Sequence, residues 1–326
     1  MRLDLRSSAR AVGAVDVLVI VFIALCSIIA LIFLPGTAVW QIVAPFNLGM
    51  CAAILVLSIA STQPNLRILR FLHDWYPVPA IFLLFKEVYI IIQSLGRPDI
   101  DQALINIDHS LFGVHPTVWL TQFSFPFLTE ILQLAYVSYY LLMLTLAIEL
   151  RLRRDYEKFS FVIFTVTYGF FLSYLGYIVF PAVGPRFTLH PFDSLDRELP
   201  GMFFTSVLRD FVNAGESIPN NIANPIALAQ RDAFPSGHTQ MTLIVMYFAA
   251  QYRLRSRYVL ALLGTLLIIS TVYLRYHYVV DLIGGALFMA FTIWTAPKLY
   301  SFLQRRGTSV SWKGLQTEEN LPAPRE

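Results

Sequence analysis

Ala233-Phe234-Pro235-Ser236-Gly237-His238-Thr239 and Ser270-Thr271-Val272-Tyr273-Leu274-Arg275-Tyr276-His277-Tyr278-Val279-Val280-Asp281 are the two blocks that decide how this chain is read. Each sets a histidine where an apolar segment starts or ends. Between them the chain runs out through apolar residues to Arg253-Leu254-Arg255-Ser256-Arg257 and back. Asp281 follows His277 by four residues, and on a helix that spacing turns through only about 40°, so a shared face is expected. A carboxylate there accepts the imidazole N–H, fixes the tautomer and leaves the other ring nitrogen free to attack. Gly184-Pro185-Arg186 adds a fixed cation just after another apolar segment.

These residue types form a kit for phosphoryl transfer. Pro235 suits the first position of a helix, where its missing N–H costs nothing. The N–H groups at Ser236 and Gly237, with the helix dipole behind them, would cradle phosphate oxygens, and Gly237 would let the phosphate come close. Arg186 and Arg275 would bind the remaining oxygens and offset charge in the transition state. His277 is the expected nucleophile. His238 would protonate the departing alkoxide and then activate water or an alcohol. Taken singly, each block has an ordinary reading: a helix start, half a metal site, an interfacial arginine. Taken in order on one face, they do not.

The rest of the composition excludes a water-soluble globule. Hydrophobic residues make up 56% of the chain, charged residues only 14%, and the mean hydropathy is +0.61. A soluble domain carries about 25% charged residues. Cys26 and Cys51 sit in apolar runs, so no disulfide framework or thiolate metal site is implied. The expected fold is an all-α, polytopic membrane bundle of about eight transmembrane helices. Its spans fall near 14–34, 42–61, 78–95, 127–150, 160–180, 235–252, 258–276 and 278–297. Residues 1–13 form the N-terminus, 14–304 the single transmembrane domain with its core motifs in 181–285, and 305–326 a polar tail expected to be disordered. The polar stretch 96–126, with Asp99, Asp101 and Asp108, is expected at the interface, as are His109 and His115. In the long connection 181–232, Phe203, Phe204, Val207, Leu208 and Phe211 recur at helical spacing and predict a short amphipathic helix on the membrane surface. Lys86 and Glu87 lie inside a span, where an ion pair to another helix and a substrate contact are equally open readings.

Alternating these spans sorts the positive charges. One side collects seventeen Lys and Arg residues, the other five, while Lys86 and Arg275 stay inside spans. The positive-inside rule then puts both termini in the cytoplasm and Arg186, His238 and His277 at the opposite face. The charge count makes no use of the motifs, so their agreement is independent support.

The blocks around Arg186, Pro235-Ser236-Gly237-His238 and His277 with Asp281 resemble the type 2 phosphatidic acid phosphatase superfamily of membrane enzymes. Two positions depart from that pattern. Val179 stands where the first block usually has a lysine, and Thr271 stands where the third usually has an arginine. Arg275 instead resembles the sphingolipid-synthase branches, including the inositol phosphorylceramide synthases, and the run Leu111-Phe112-Gly113-Val114-His115-Pro116-Thr117-Val118-Trp119-Leu120 looks closer to that group. The resemblance implies a metal-independent enzyme without cofactors, acting on a membrane lipid phosphate through a phosphohistidine. Water would complete the reaction of a phosphatase, and an alcohol acceptor that of a head-group phosphotransferase. A transferase of the inositol phosphorylceramide synthase kind and a non-catalytic transporter or scaffold are the alternatives. No nucleic-acid partner is expected.

Overall fold

The computed structural model describes residues 11–63, 65–219 and 224–306. The expectations for the basic stretch through Arg10, for Asn220 and Asn221, and for the tail beyond Arg306 lie outside the described residues. Among the described residues every regular element is helical. In chain order the longer helices are α1 (Ala14–Phe33), α2 (Ala38–Ser61), α3 (Arg67–Trp75), α4 (Pro77–Leu95), α5 (Asp101–Phe112) and α6 (Pro126–Val137). They continue as α7 (Tyr139–Leu152), α8 (Tyr156–Val179), α9 (Thr205–Gly215), α10 (Gly237–Gln251), α11 (Arg257–Tyr273) and α12 (Val279–Arg306).

The all-helical bundle agrees with the sequence reading, whereas the count of eight spans does not follow from the helices alone. Five of them, α1, α2, α4, α8 and α12, are long and apolar enough to cross a membrane unaided. Taken together, α6 and α7, bent by 48° between them, pass the same test of length and apolarity and are a sixth candidate crossing. With 15 and 17 residues, α10 and α11 are shorter. At 1.5 Å per residue they reach about 22 and 26 Å, less than the hydrocarbon thickness of about 30 Å.

Helix α8 is the central pillar. Its apolar window is 72% buried, against 22–39% in the other four unaided spans. Close packing needs small or polar residues where helices meet in an apolar medium. Gln240 of α10 meets that need: it accepts from Ser173 of α8, donates to Gly169 O at 3.1 Å and reaches Thr292 Oγ1 of α12 at 3.1 Å. One amide thereby ties three helices together two residues beyond His238. Outward-facing side chains such as Val21, Ile28, Leu31 and Ile32 stay exposed, as a lipid-facing surface requires.

The two ends of the bundle differ. At one end Glu149 of α7 accepts from the N–H groups of Arg255 (2.7 Å) and Ser256 (3.1 Å), closing the α10–α11 turn against α7. Asp74 pairs with Arg151 at 3.1 Å there. The basic connections 151–158 and 253–257 thus face one another, as alternating helices demand. The other end holds the C-termini of α8 and α11 and the N-termini of α10 and α12. All three motif blocks lie there.

Candidate active site

Backbone hydrogen bonds stitch the three blocks into one unit. Ala233 N donates to Ala182 O (3.0 Å), Ser236 N to Asp281 O (3.0 Å) and Arg186 N to Arg275 O (2.9 Å). Asp101 of α5 fixes the turn before Arg186 by accepting from Val183 N (2.9 Å) and Gly184 N (2.8 Å), and it also accepts from the Tyr278 hydroxyl (2.8 Å). At Gly184, φ is +94° and a Cβ would meet Tyr276 O at 2.6 Å, so glycine is required on both counts.

His277 and Asp281 come together, though not on a helix face. Helix α12 begins at Val279, so His277 precedes it. The spacing works through a cap instead: Asp281 in the first turn reaches back to accept from Tyr278 N at 2.8 Å. The same carboxylate oxygen lies 3.3 Å from His277 Nδ1, which donates to Ala233 O at 2.9 Å. A carbonyl can only accept, so the proton sits on Nδ1 and Nε2 presents a lone pair. His277 Nε2 faces His238 Nδ1 at 3.4 Å. Burial holds the His277 pKa down at about 4, against the opposing pull of the Asp232 charge and the Ala233 carbonyl. The ring is therefore neutral at physiological pH, as a nucleophile must be. Asp108 of α5 completes the α12 cap by accepting from Val279 N (2.9 Å) and Val280 N (2.8 Å).

The second block also does its work differently from expectation. Pro235 is not the first helical residue; Ser236 is the cap, and its hydroxyl accepts from Thr239 N at 3.2 Å. With Ser236 N given to Asp281, the expected phosphate donors that lack an intrahelical acceptor are the N–H groups of Gly237 and His238. A Cβ at Gly237 would meet the Tyr177 hydroxyl at 2.3 Å, so that close neighbour demands glycine here.

Arg186 is buried between two rings, with its guanidinium carbon 4.6 Å from the ring centres of both Phe187 and Tyr276. Tyr276 stacks on Tyr136 at 4.3 Å, and Tyr136 stacks on His238 at 4.7 Å. The tyrosine pair forms a wall from the arginine to the histidine. Tyr139 adds a second contact to the His238 ring at 4.4 Å. Arg186 also pairs with Glu216 and donates to Asn213 Oδ1 at 3.3 Å.

A family model described as the PAP2 superfamily matches residues 102–295, well over half of the chain. The chain belongs to the PAP2 superfamily. No curated protein and no solved structure matches it. The PAP2 match runs from the second residue of α5 into α12 and so contains all three stitched blocks.

At the two positions where the chain departs from the PAP2 pattern, Val179 is an exposed residue ending α8 and Thr271 is fully buried in α11. Arg275 does not share a helix face with Thr271, because α11 ends at Tyr273. Its φ of +69° makes it the left-handed residue of a C-terminal cap, closed by Arg275 N to Val272 O (3.0 Å) and Tyr276 N to Thr271 O (2.9 Å). That position ordinarily belongs to glycine and costs another residue about 1–2 kcal/mol. The guanidinium pairs with Glu198 and donates to Thr121 Oγ1 at 3.3 Å; neither contact is to His238 or His277.

The amphipathic segment is helical from Thr205 to Gly215, and its polar side faces inward. Thr205, Arg209 and Asn213 are buried, while Phe203, Phe204, Val207 and Phe211 are exposed. Glu130 of α6 caps it, accepting from Met202, Phe204 and Thr205 N–H groups at 2.7–3.3 Å. Lys86 closes its other end by donating to Gly215 O (2.6 Å) and Ser217 Oγ (3.0 Å). Glu87 accepts from Asn47 at 2.8 Å, and among the described residues neither Lys86 nor Glu87 forms an ion pair to another span. His109 and His115 lie ring to ring at 4.9 Å.

Sequence reasoning missed Asp101, Asp108, Tyr136 and Asp232. The Asp232 carboxylate acts on both His277 and Arg186, and burial raises its own pKa against their charges. Its place in the chain, one residue before the Ala233 carbonyl that holds His277, was the available signal. Among the described residues no cluster of His, Cys, Asp and Glu is arranged to hold a metal ion.

Proposed function

We propose that this PAP2 protein cleaves a lipid phosphate ester at the non-cytoplasmic face of its membrane through a phosphohistidine on His277. The observation that carries the reading is the His277 ring itself, its Nδ1–H committed to Ala233 O and Asp281 and its Nε2 lone pair directed at His238. Nε2 attacks phosphorus, and the Nδ1–H stays hydrogen-bonded while the ring becomes cationic. In-line displacement puts the leaving oxygen on the far side of phosphorus from Nε2. His238 must therefore draw away from its 3.4 Å resting contact as the phosphoryl group enters, and then donate to that oxygen. Water or an alcohol, deprotonated by His238, attacks the phosphohistidine in the second step. Arg186 and the first-turn N–H groups of α10 carry the phosphoryl oxygens.

The outward-facing site follows from the charge sorting together with eight crossings, in which α10 and α11 serve as short spans. The apolar side of α9 then rests in the membrane surface while its polar side covers Arg186. The transferase reading rests on two departures from the usual pattern, Val179 where a lysine is usual and Arg275 beside a Thr271 that replaces the usual arginine.

Incubation with labelled lipid phosphates and phospholipids, with and without candidate alcohols, tests the proposal. Phosphate release or a new phosphoryl lipid, persisting with EDTA present, is expected. Absence of any turnover in folded protein would leave a non-catalytic binding role. Loss with EDTA that added divalent metal restores would replace the mechanism by a metal-assisted one.

A further inference from the structure

Glu216 holds the place at Arg186 that a phosphate must take. The guanidinium is buried, and the carboxylate paired with it is only 17% exposed. A planar guanidinium fork binds either anion, so a phosphate entering the site displaces Glu216. The displaced carboxylate is then left beside another anion, in a half-buried place where an unpaired charge is costly. It needs a second cation.

Lys86 brackets that residue along the chain. Its Nζ donates to Gly215 O at 2.6 Å and to Ser217 Oγ at 3.0 Å, one on either side of Glu216. An ammonium carries three N–H donors, and these contacts use two. The backbone between them is fixed as well: Glu216 N, Ser217 N and Ile218 N donate to Val212, Ala214 and Asn213 O at 2.9–3.0 Å. The Lys86 charge also reaches Asp232, which acts on both Arg186 and His277. Helix α4 brings this lysine in from outside the family match, which begins at residue 102. Lys86, Tyr89 and Gln93 are spaced three and four residues apart, so they share one face of α4. All three donate to the connection between α8 and α10, Tyr89 Oη to Leu228 O and Gln93 Nε2 to Ala229 O, both at 3.1 Å. An ionisable residue within a span is costly, and a stripe aimed at the site connection gives it a use.

Resting on the phosphoryl-transfer reading, the geometry points to Lys86 as a positioning residue of the phosphate site, the cation that receives the Glu216 carboxylate when a phosphate takes Arg186. Glu216 turns from one cation to the other on a backbone that stays fixed. Each anion then has a partner in both states: Glu216 with Arg186 at rest, phosphate with Arg186 and Glu216 with Lys86 when the site is filled. Lys86 acts through Glu216 and touches no substrate atom.

Full-length protein in detergent, titrated calorimetrically with inorganic phosphate, tests this as a double-mutant cycle without any turnover. Lys86→Gln removes the charge and keeps two N–H donors for the α9 end; it should weaken phosphate binding about fivefold, the scale of one partly exposed charge pair. Lys86→Arg restores the charge and should stay within about twofold of wild type. In the Glu216→Gln background no carboxylate has to be received, so adding Lys86→Gln should change phosphate binding by less than about twofold. A fivefold loss that persists in that background would overturn the proposal, because a lysine that binds phosphate directly or merely braces α9 gives that result. Tighter binding in Lys86→Gln would also overturn it, since Lys86 would then only press Glu216 onto Arg186. In turnover of a lipid phosphate, Lys86→Gln should raise KM by about the same factor, and the rise should vanish in the Glu216→Gln background. Since binding is read apart from turnover, absence of reaction with every lipid phosphate overturns the catalytic reading, and absence of a Glu216-dependent effect of Lys86 overturns the positioning role.

Discussion

The histidine side and the arginine side of the site are built by different means. On the histidine side the fixing contacts are caps and backbone carbonyls: Asp281 and Asp108 on the first turn of α12, Ser236 on that of α10, Ala233 O on His277. Those groups satisfy helix ends that would otherwise be left without partners, so the same contacts hold both the fold and the nucleophile. On the arginine side the contacts are ion pairs to carboxylates on a long irregular connection. Ion pairs can exchange one anion for another; capped helix ends cannot. The difference separates a half held by helix caps from a half held by ion pairs.

Neutralising one carboxylate in each half is the strongest way to break that comparison. Asp281→Asn should lower kcat by about 10²–10⁴-fold, because the His277 imidazolium loses its partner, and His238→Ala should fall in the same range through loss of the general acid. Glu216→Gln makes the same chemical change beside Arg186 and should instead tighten inorganic phosphate binding several-fold. Steady-state kinetics and phosphate titration at matched folded yield check both. A loss of phosphate affinity in Glu216→Gln would mean that the two halves are built alike.

The smallest expected effect concerns pH. His277 titrates at about 4, below its ordinary value, so its neutral form is retained as pH falls through 6.5 and is lost only near 4. The acid limb of kcat/KM should therefore lie near pH 4, with less than about a twofold change from pH 7.5 to 6. An acid limb centred near 6.5 would show His277 to be solvated as in an ordinary peptide.

How much of this was legible in the sequence depends on the range of the contact concerned. The all-helical bundle follows from the apolar runs, and the site from three blocks whose spacing returns them to one end. Local geometry was harder. His277 and Asp281 were expected on one helix face, yet the helix starts between them, and a capping carboxylate reaches back over the same interval. Pro235 was expected inside α10, whereas Ser236 outcompetes it as cap because its hydroxyl can accept an N–H. The polarity of 96–126 suggests an interfacial stretch but does not reveal that Asp101 and Asp108 turn inward and are buried. Their partners, Val183, Gly184, Val279 and Val280, lie far away in the chain, and no local periodicity announces them. The count of eight spans is not decided by helix length, because α10 and α11 are short for a crossing and only α11 of the two is markedly apolar.

The account stands or falls on His277 as nucleophile. Wild-type protein mixed with a radiolabelled lipid phosphate, quenched within one turnover and digested, should yield label on the peptide containing His277, labile to acid and stable to alkali. His277→Ala should show neither label nor turnover while still binding phosphate through Arg186. Label on another residue, or turnover by His277→Ala, would contradict the central claim.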